Sequence, residues 1–249
     1  MYILSLNCYL FAPHVLTASK WIRSRADARV AKRYPDADVR IRDITKYILA
    51  SEADVVCLQG VWGLRNKNLM ISLLRQVYTH SYGDPYNPVI NIDSGLMMLT
   101  RCDMAETSIL YFKNTGAWFS NKGVIAVSLP HYQCIVATTH LDTNEPIAVA
   151  ELSSVLNSHR SSDNSLPLYL VGDLNLTTDK IPTVAGWRRL TPEWDNNSDF
   201  EDTRCLDHCM TTSGEVNTML FVDRVPINTF ITDHAAVHVR INEYYTAFY

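Results

Sequence analysis

The chain has 249 residues and a formal net charge of −4, with 47% hydrophobic and 19% charged residues. This length suits one large α/β domain covering residues 1–249 and is too short for an appended domain of normal size. No window of 18 uninterrupted apolar residues predicts a transmembrane segment, and the acidic balance argues against an extended surface for nucleic acid.

The first third of the chain alternates strand-like and helical patterns. We expect a first strand from Tyr2 to Cys8, since the residues at this end lack the basic leader and the cleavage site of a signal peptide. A helix is predicted from Asp38 to Ser51 by apolar residues at helical spacing, and a buried strand from Asp54 to Gln59. A second helix is predicted from Asn66 to Tyr78.

The rest of the chain contains more strands than helices. One helix is predicted from Pro146 to Ser158, with Asn144 as a candidate N-cap. Strands are predicted at 95–100, 107–112, 123–129, 133–139, 168–171, 204–210 and 235–241. This mixture predicts an α/β fold in which two mixed β-sheets pack face to face and helices cover their outer faces, a four-layer sandwich.

The cysteines are of the kind found in a reducing compartment. Six are present, mostly inside apolar runs such as Val55 to Leu58, which is typical of buried free thiols rather than of a disulfide scaffold. We therefore expect a cytoplasmic protein. Cys205 and Cys209 could be imagined as zinc ligands, but no second ligand pair follows them.

Charge is concentrated near the N-terminus. Between Lys20 and Lys46 there are nine basic and four acidic residues. This segment could contact anionic lipid headgroups or nucleic acid, or it could be an ordinary solvated helix face.

Short polar motifs follow most of the apolar runs. In chain order they are Ser5-Leu6-Asn7-Cys8, Leu58-Gln59-Gly60-Val61-Trp62, Ser94-Gly95-Leu96, Asn121-Lys122-Gly123, Thr139-His140-Leu141-Asp142, Gly172-Asp173-Leu174-Asn175, Leu206-Asp207-His208 and Thr232-Asp233-His234. Polar groups at strand ends converge at one rim of a sheet, where the apolar segments behind them hold them rigid. The motifs therefore predict a single functional site.

Together these motifs resemble the endonuclease/exonuclease/phosphatase superfamily, whose members use a divalent metal to break phosphoester bonds. The segment 117–124, with Lys122-Gly123, resembles the aromatic-x-x-Lys-Gly segment of neutral sphingomyelinases, and Trp62 fits the same branch. The stretch Ser24 to Arg29 resembles the Arg-Ala-Asp stretch before their first helix. The resemblance implies a DNase-I-like fold that hydrolyses sphingomyelin to ceramide and phosphocholine with Mg²⁺.

The residue types suit phosphodiester hydrolysis, which needs an attacking water, a base and positive charge near the phosphoryl oxygens. Asp173 and Asn175 could hold the water and an oxygen, and His234 is the natural base because its ordinary pKa lies near neutrality. The superfamily pattern gives His234 its carboxylate partner at Asp207. Additional candidates are His140, as a donor to the phosphoryl group, and Asn7 and Lys122, as substrate-binding groups.

One position departs from the superfamily pattern. The resemblance implies metal ligands at Asn7 and Asp233 and a metal-binding glutamate directly after Gln59, where this chain has Gly60. We therefore expect Gly60→Glu to raise magnesium-dependent activity by at least roughly 10 to 100-fold, as for a restored metal shell.

Three functions remain open on the sequence alone. The first is a neutral sphingomyelinase-type phosphodiesterase, a monomer that meets phospholipid at a membrane surface and is cytoplasmic or peripheral. The second is a catalytically silent protein that binds lipid or protein. The third is a metal-dependent nuclease of the same fold, which the net charge disfavours.

Overall fold

The computed structural model describes residues 1–10, 36–83, 93–112, 122–160, 166–192, 204–213, 218–223, 231–232 and 234–241. Within these ranges the helices are α1 (Ala37–Ser51), α2 (Leu64–Leu74) and α3 (Glu145–Arg160). The strands are β1 (Tyr2–Leu10), β2 (Val55–Val61), β3 (His80–Gly83), β4 (Met97–Thr100), β5 (Thr107–Tyr111), β6 (Gly123–Leu129), β7 (Cys134–His140), β8 (Leu168–Asp173), β9 (Arg188–Arg189), β10 (Asp207–Thr211), β11 (Thr218–Asp223) and β12 (Ala236–Ile241).

The strands form two mixed sheets. The first sheet has the order β11-β12-β1-β2-β4-β3, and the second has the order β5-β6-β7-β8-β10-β9. Each sheet contains one parallel pair near its middle, β1 with β2 and β7 with β8, and its other pairs are antiparallel.

Each sheet packs against other elements on both faces. Because side chains alternate across a strand, successive residues of one strand point to opposite faces. In the first sheet Ile3 and Val55 point into the core between the sheets, whereas Leu4 and Val56 pack against α1 and α2. In the second sheet the outer face packs against α3 through residues such as Leu170. The layers are therefore helices, sheet, sheet and helix, as the sequence predicts.

Strand direction brings the functional motifs together. The carboxyl ends of β1, β2, β7 and β8 carry Asn7, Gly60, His140 and Asp173. Because β10 runs antiparallel to β8, and β12 antiparallel to β1, the beginnings of these two strands lie at that same rim.

Most predicted elements are confirmed with end shifts of a few residues. The second helix ends at Leu74 instead of Tyr78, whose hydroxyl is buried and donates to the Ala53 carbonyl oxygen. Strands β3, β9 and β11 were not predicted. Two of them are short polar runs, His80–Gly83 and Arg188–Arg189, that become strands by pairing with a neighbour rather than through an apolar pattern.

Two further expectations are resolved by the structure. All six cysteines are free, and all but Cys102 are buried. The predicted basic segment lies largely outside the described residues, but Arg40 within it is buried rather than part of a solvated face. Separately, none of the described helices is both long and apolar enough to cross a membrane.

Candidate active site

The site contains a buried pair made of a histidine and a carboxylate. His234 precedes β12, and Asp207 is the first residue of β10. The Nδ1 atom of His234 lies 2.6 Å from Oδ2 of Asp207. A carboxylate at this distance keeps the proton on Nδ1, so that Nε2 is left as a hydrogen-bond acceptor.

The accepting nitrogen faces a cluster contributed by both sheets. The amide nitrogen of Asn7, on β1, lies 3.3 Å from His234 Nε2 and donates to Asp173 Oδ2 at 2.9 Å. Asp173 Oδ2 itself is 3.7 Å from His234 Nε2. Asp173 ends β8, where its register partner is Asp207. The pairing of β8 with β10 thus sets the two carboxylates on either side of the histidine.

Asp173 remains ionised although it is buried. Burial alone would raise the pKa of this carboxyl, but the His234 and His140 rings where acid protonates them, the Asn175 backbone N–H and Lys122 favour the charged form and hold the pKa below its ordinary value. The Asn175 N–H donates to Asp173 Oδ1 at 2.8 Å. The site therefore contains a permanent negative charge next to the accepting nitrogen of His234.

His140 lies on the other side of Asp173. Its Nε2 atom is 3.5 Å from Asp173 Oδ2, which is long for a hydrogen bond. Burial, and secondarily the charge of Lys122, lowers the pKa of His140 to about 3. His140 is therefore a neutral hydrogen-bonding group near neutral pH and contributes no positive charge.

The side chains of Asn175 and Lys122 both donate to the backbone beside the reacting groups. The Asn175 side chain donates to the Leu141 carbonyl oxygen at 2.9 Å, and Lys122 Nζ donates to the same oxygen at 3.0 Å. The Asn175 backbone N–H in addition supports Asp173, and the expectation that Asp173 and Asn175 hold the attacking water and a nonbridging oxygen stays a prediction. Burial lowers the pKa of Lys122 to about 8.

Two supporting residues were not predicted. Glu151 on α3 accepts a hydrogen bond from the Asp142 backbone N–H at 2.9 Å, and burial raises the pKa of its carboxyl to about 7. Thr232 donates to the Asn7 carbonyl oxygen at 2.6 Å. Glu151 could have been found from its spacing of three residues from Ala148, on the apolar face of the helix.

Position 60 differs from the expectation of a simple missing ligand. Gly60 has a φ of +67°, and a Cβ atom there would lie 2.5 Å from Asn7 Oδ1 and 2.9 Å from the Tyr9 backbone nitrogen. Real Cβ atoms do not approach other atoms so closely, and side chains avoid this backbone region. A glutamate at position 60 would therefore require the Asn7 side chain and the Tyr9 backbone to shift, and the effect of Gly60→Glu on activity stays a prediction.

The described residues do not fit a magnesium ion. One atom each from Asp173, Asp207 and His234 lies within 4.8 Å of the others, so these three could hold a metal ion on distance alone. However, the Asp207 to His234 hydrogen bond would have to break, and magnesium prefers oxygen ligands. Asn7 Oδ1 already accepts from the Tyr9 N–H at 3.0 Å, and Gly60 supplies no ligand.

The structure brings together most of the predicted site residues. Asn7, Asp173, Asp207 and His234 form one hydrogen-bonded cluster, and His140 lies beside it with Nε2 3.5 Å from Asp173 Oδ2. The predicted metal ligand Asp233 lies outside the described residues, as do segment 24–29 and residues 117–121 of the lysine-containing segment.

The sequence comparison gives one family. A model of the endonuclease/exonuclease/phosphatase family matches residues 4–234. No curated protein sequence matches the chain.

Solved structures of low sequence identity share the fold. Staphylococcus aureus beta toxin has a TM-score of 0.72 at 13% identity, with 97% of this chain and 100% of that chain covered. Sphingomyelinase C from Streptomyces griseocarneus has 0.71 at 14%, covering 97% and 99%. Truncated Caenorhabditis elegans TDP2 has 0.70 at 15%, covering 97% of each chain. A double mutant of the beta toxin has been solved with bound magnesium ions.

Proposed function

This chain belongs to the endonuclease/exonuclease/phosphatase family, and from that premise we propose that it hydrolyses a phosphodiester with a water molecule activated by His234. The observation that carries the proposal is the 2.6 Å hydrogen bond between Asp207 and His234 Nδ1. It leaves Nε2 as the only ring nitrogen that can accept a proton, and Nε2 faces the buried cluster of Asn7 and Asp173.

In the proposed reaction His234 takes the proton of the attacking water through Nε2, and Asp207 stabilises the imidazolium that forms. The water oxygen bonds to phosphorus while one ester P–O bond breaks, and the released alkoxide takes a proton from solvent. Asp173 orients the water, since its carboxylate lies 3.7 Å from the same nitrogen. The long contact from His140 to Asp173 leaves the His140 N–H available for a phosphoryl oxygen bound beside it. Lys122, still mostly protonated at neutral pH, adds positive charge behind this position.

Magnesium is the cofactor that the family resemblance implies, and one similar structure carries it. A metal would supply positive charge for the phosphoryl oxygens and for the attacking water. Because the described donor set does not fit magnesium, the proposed steps use the chain's own residues alone.

We propose sphingomyelin as the substrate, with a lysophosphocholine lipid as the related alternative. The support is a fold shared with sphingomyelinase C, the Lys122-Gly123 motif and the net acidic charge. TDP2 shares the fold equally well, so fold likeness alone does not choose the substrate.

A catalytically silent binding protein is the second candidate. The observation that favours it is Gly60, which supplies no metal ligand and where an added Cβ would lie 2.5 Å from Asn7 Oδ1. Such a protein would keep the phosphate-binding groups and bind the lipid without turnover.

The deciding experiment compares wild type with Asp207→Asn and with the control Asp179→Asn, an exposed carboxylate outside the cluster. Each protein is assayed on sphingomyelin vesicles and supercoiled plasmid, with magnesium and with EDTA. We expect wild type to release phosphocholine and Asp207→Asn to lose most turnover at nearly unchanged thermal stability. The equivalent change in a serine-protease triad costs about 10⁴-fold.

Two results would count against this assignment. Turnover per folded Asp207→Asn molecule equal to that of wild type would remove His234 and Asp207 from the chemistry. Vesicle binding by wild type without any phosphocholine release in either buffer would favour the silent binding protein.

A further inference from the structure

Arg40 is a buried cation attached to three backbone carbonyl groups. It lies on α1 and is 2% exposed. Its Nε and Nη2 atoms donate to the Ile231 carbonyl oxygen at 2.9 and 2.6 Å, Nη2 also donates to that of Cys8 at 2.7 Å, and Nη1 donates to that of Tyr9 at 3.1 Å. Because a guanidinium has five N–H donors in a fixed plane, it can hold several acceptors in one geometry.

These three carbonyls belong to the two chain segments that carry the central side chains of the site. Cys8 and Tyr9 follow Asn7 on β1, whereas Ile231 precedes Thr232 and His234. The regular pairing of β1 with β12 ends at Ser5 opposite Val237, so Asn7 and His234 both lie beyond it.

Side-chain hydrogen bonds connect the segments beyond that last pair. Thr232 Oγ1 donates to the Asn7 carbonyl oxygen at 2.6 Å and accepts from the His234 backbone N–H at 3.3 Å. Arg40 binds the carbonyls of Cys8 and Tyr9 on one segment and of Ile231 on the other. A shift of its guanidinium would therefore move Asn7 and His234 relative to each other.

We propose that Arg40 is a positioning residue that sets where the Asn7 amide and the His234 imidazole lie relative to each other and to Asp173. It acts through the Cys8, Tyr9 and Ile231 carbonyls. The inference rests on the proposed function only for its effect on turnover, since the geometry of His234 can be measured without any substrate.

The test uses Arg40→Lys and Arg40→Gln, with Arg42→Lys as the matched control because Arg42 is exposed on the same helix. A lysine ammonium is a single point donor and cannot reproduce a planar contact with three carbonyls. The readouts are the NMR signal of the His234 Nδ1 proton, urea unfolding, and kcat and KM on sphingomyelin.

We expect both Arg40 variants to shift the His234 Nδ1 proton signal or speed its exchange, and to lower kcat more than they raise KM. A misplacement of about 1 Å can cost on the order of 100-fold in rate, so a loss of about 10 to 100-fold in kcat is expected. Arg42→Lys should leave both the proton signal and kcat unchanged.

A purely structural role would give a different result. It would lower the urea midpoint of the Arg40 variants while the His234 proton signal and kcat per folded molecule stay at wild-type values, which would overturn the proposal. Failure of both variants to fold, even in stabilising sucrose, would also assign Arg40 to the core rather than to the site. If wild type lacks turnover, the proposed function fails, and the proton signal alone still decides the role of Arg40.

Discussion

At the residue scale, the conformation of Gly60 is linked to a bulge in the neighbouring strand β1. The parallel register pairs Asn7 with Gln59 and then Leu10 with Val61, so that Cys8 and Tyr9 lie opposite Gly60. Tyr9 has a φ of +49° and Gly60 a φ of +67°. The extra residue on β1 brings the Tyr9 backbone to the space that a side chain at position 60 would need. The missing carboxylate is thus a feature of the local backbone.

We expect Gly60→Ala to be strongly destabilising. The matched control is Gly186→Ala, because Gly186 also has a positive φ, +86°, but has no atom within 4 Å of an added Cβ. The control should cost about 1 to 2 kcal/mol for the left-handed backbone alone. Gly60→Ala should cost at least about twice that in the free energy of unfolding, measured by urea denaturation. Equal losses for the two variants would show that the bulge can relax.

The pH dependence of turnover follows from the protonation of single residues. The accepting nitrogen of His234 must be unprotonated, so kcat/KM should rise with pH as this imidazole loses its proton. Lys122 has its pKa lowered to about 8 by burial, so its positive charge is lost above that pH and kcat/KM should fall again.

Variants at Lys122 isolate the alkaline side of this profile. Lys122→Arg should keep the charge and move the fall to higher pH, whereas Lys122→Met should lower activity near neutrality and abolish the fall. The measurement is kcat/KM on sphingomyelin from pH 5 to 10. An unchanged alkaline limb in Lys122→Met would exclude Lys122 as the titrating group.

At the scale of elements, α3 does more than cover the second sheet. Its buried face packs Ala148 and Leu152 against the sheet. On that face Glu151 accepts from the Asp142 N–H, which fixes the loop after His140. Lys122 and Asp142 are the charged groups that act on Glu151. The helix therefore supports the site through one buried carboxyl.

Glu151 should make the stability of the fold depend on pH. Burial raises its pKa from 4.5 to about 7, so the folded state binds more protons than the unfolded state between these values. Its contribution is therefore complete below about pH 4.5 and is lost as the pH rises through 7.

The Glu151→Gln variant tests this linkage because its amide oxygen can still accept from Asp142 but cannot titrate. Free energies of unfolding are measured at pH 4.5 and pH 7.5 for both proteins. We expect the stability of Glu151→Gln relative to wild type to increase with pH over this interval. A constant difference between the two proteins would mean that Glu151 has an ordinary pKa.

At the scale of the whole molecule, the net charge bears on the substrate. A protein that neutralises many phosphates of a polynucleotide binds it with a steep salt dependence. With a net charge of −4, we expect weak plasmid binding that disappears as salt rises from about 50 to 200 mM, and preferential cleavage of sphingomyelin. Paired vesicle and plasmid assays at the two salt concentrations measure this. Robust strand nicking without phosphocholine release would place the chain with the nucleases.

Sequence alone determined the layers of the fold and most members of the site. Apolar runs with period two or helical spacing reported which segments are buried, because burial of an amphipathic element imposes that period wherever it occurs. The polar motifs at strand ends, with their resemblance to the superfamily, predicted Asn7, His140, Asp173, Asp207 and His234 as site residues, and the structure brings these five together at one rim.

Only the tertiary structure decided what depends on contacts between distant segments. The sequence counted Arg40 with the basic residues of a possible solvated helix face, and only the structure shows it buried against the carbonyls of Cys8, Tyr9 and Ile231. Likewise the sequence presented Gly60 as an absent ligand, whereas the structure shows that a Cβ at this position would lie 2.5 Å from Asn7 Oδ1. Such pairings join residues far apart in the chain, and no local periodicity records which of them will meet.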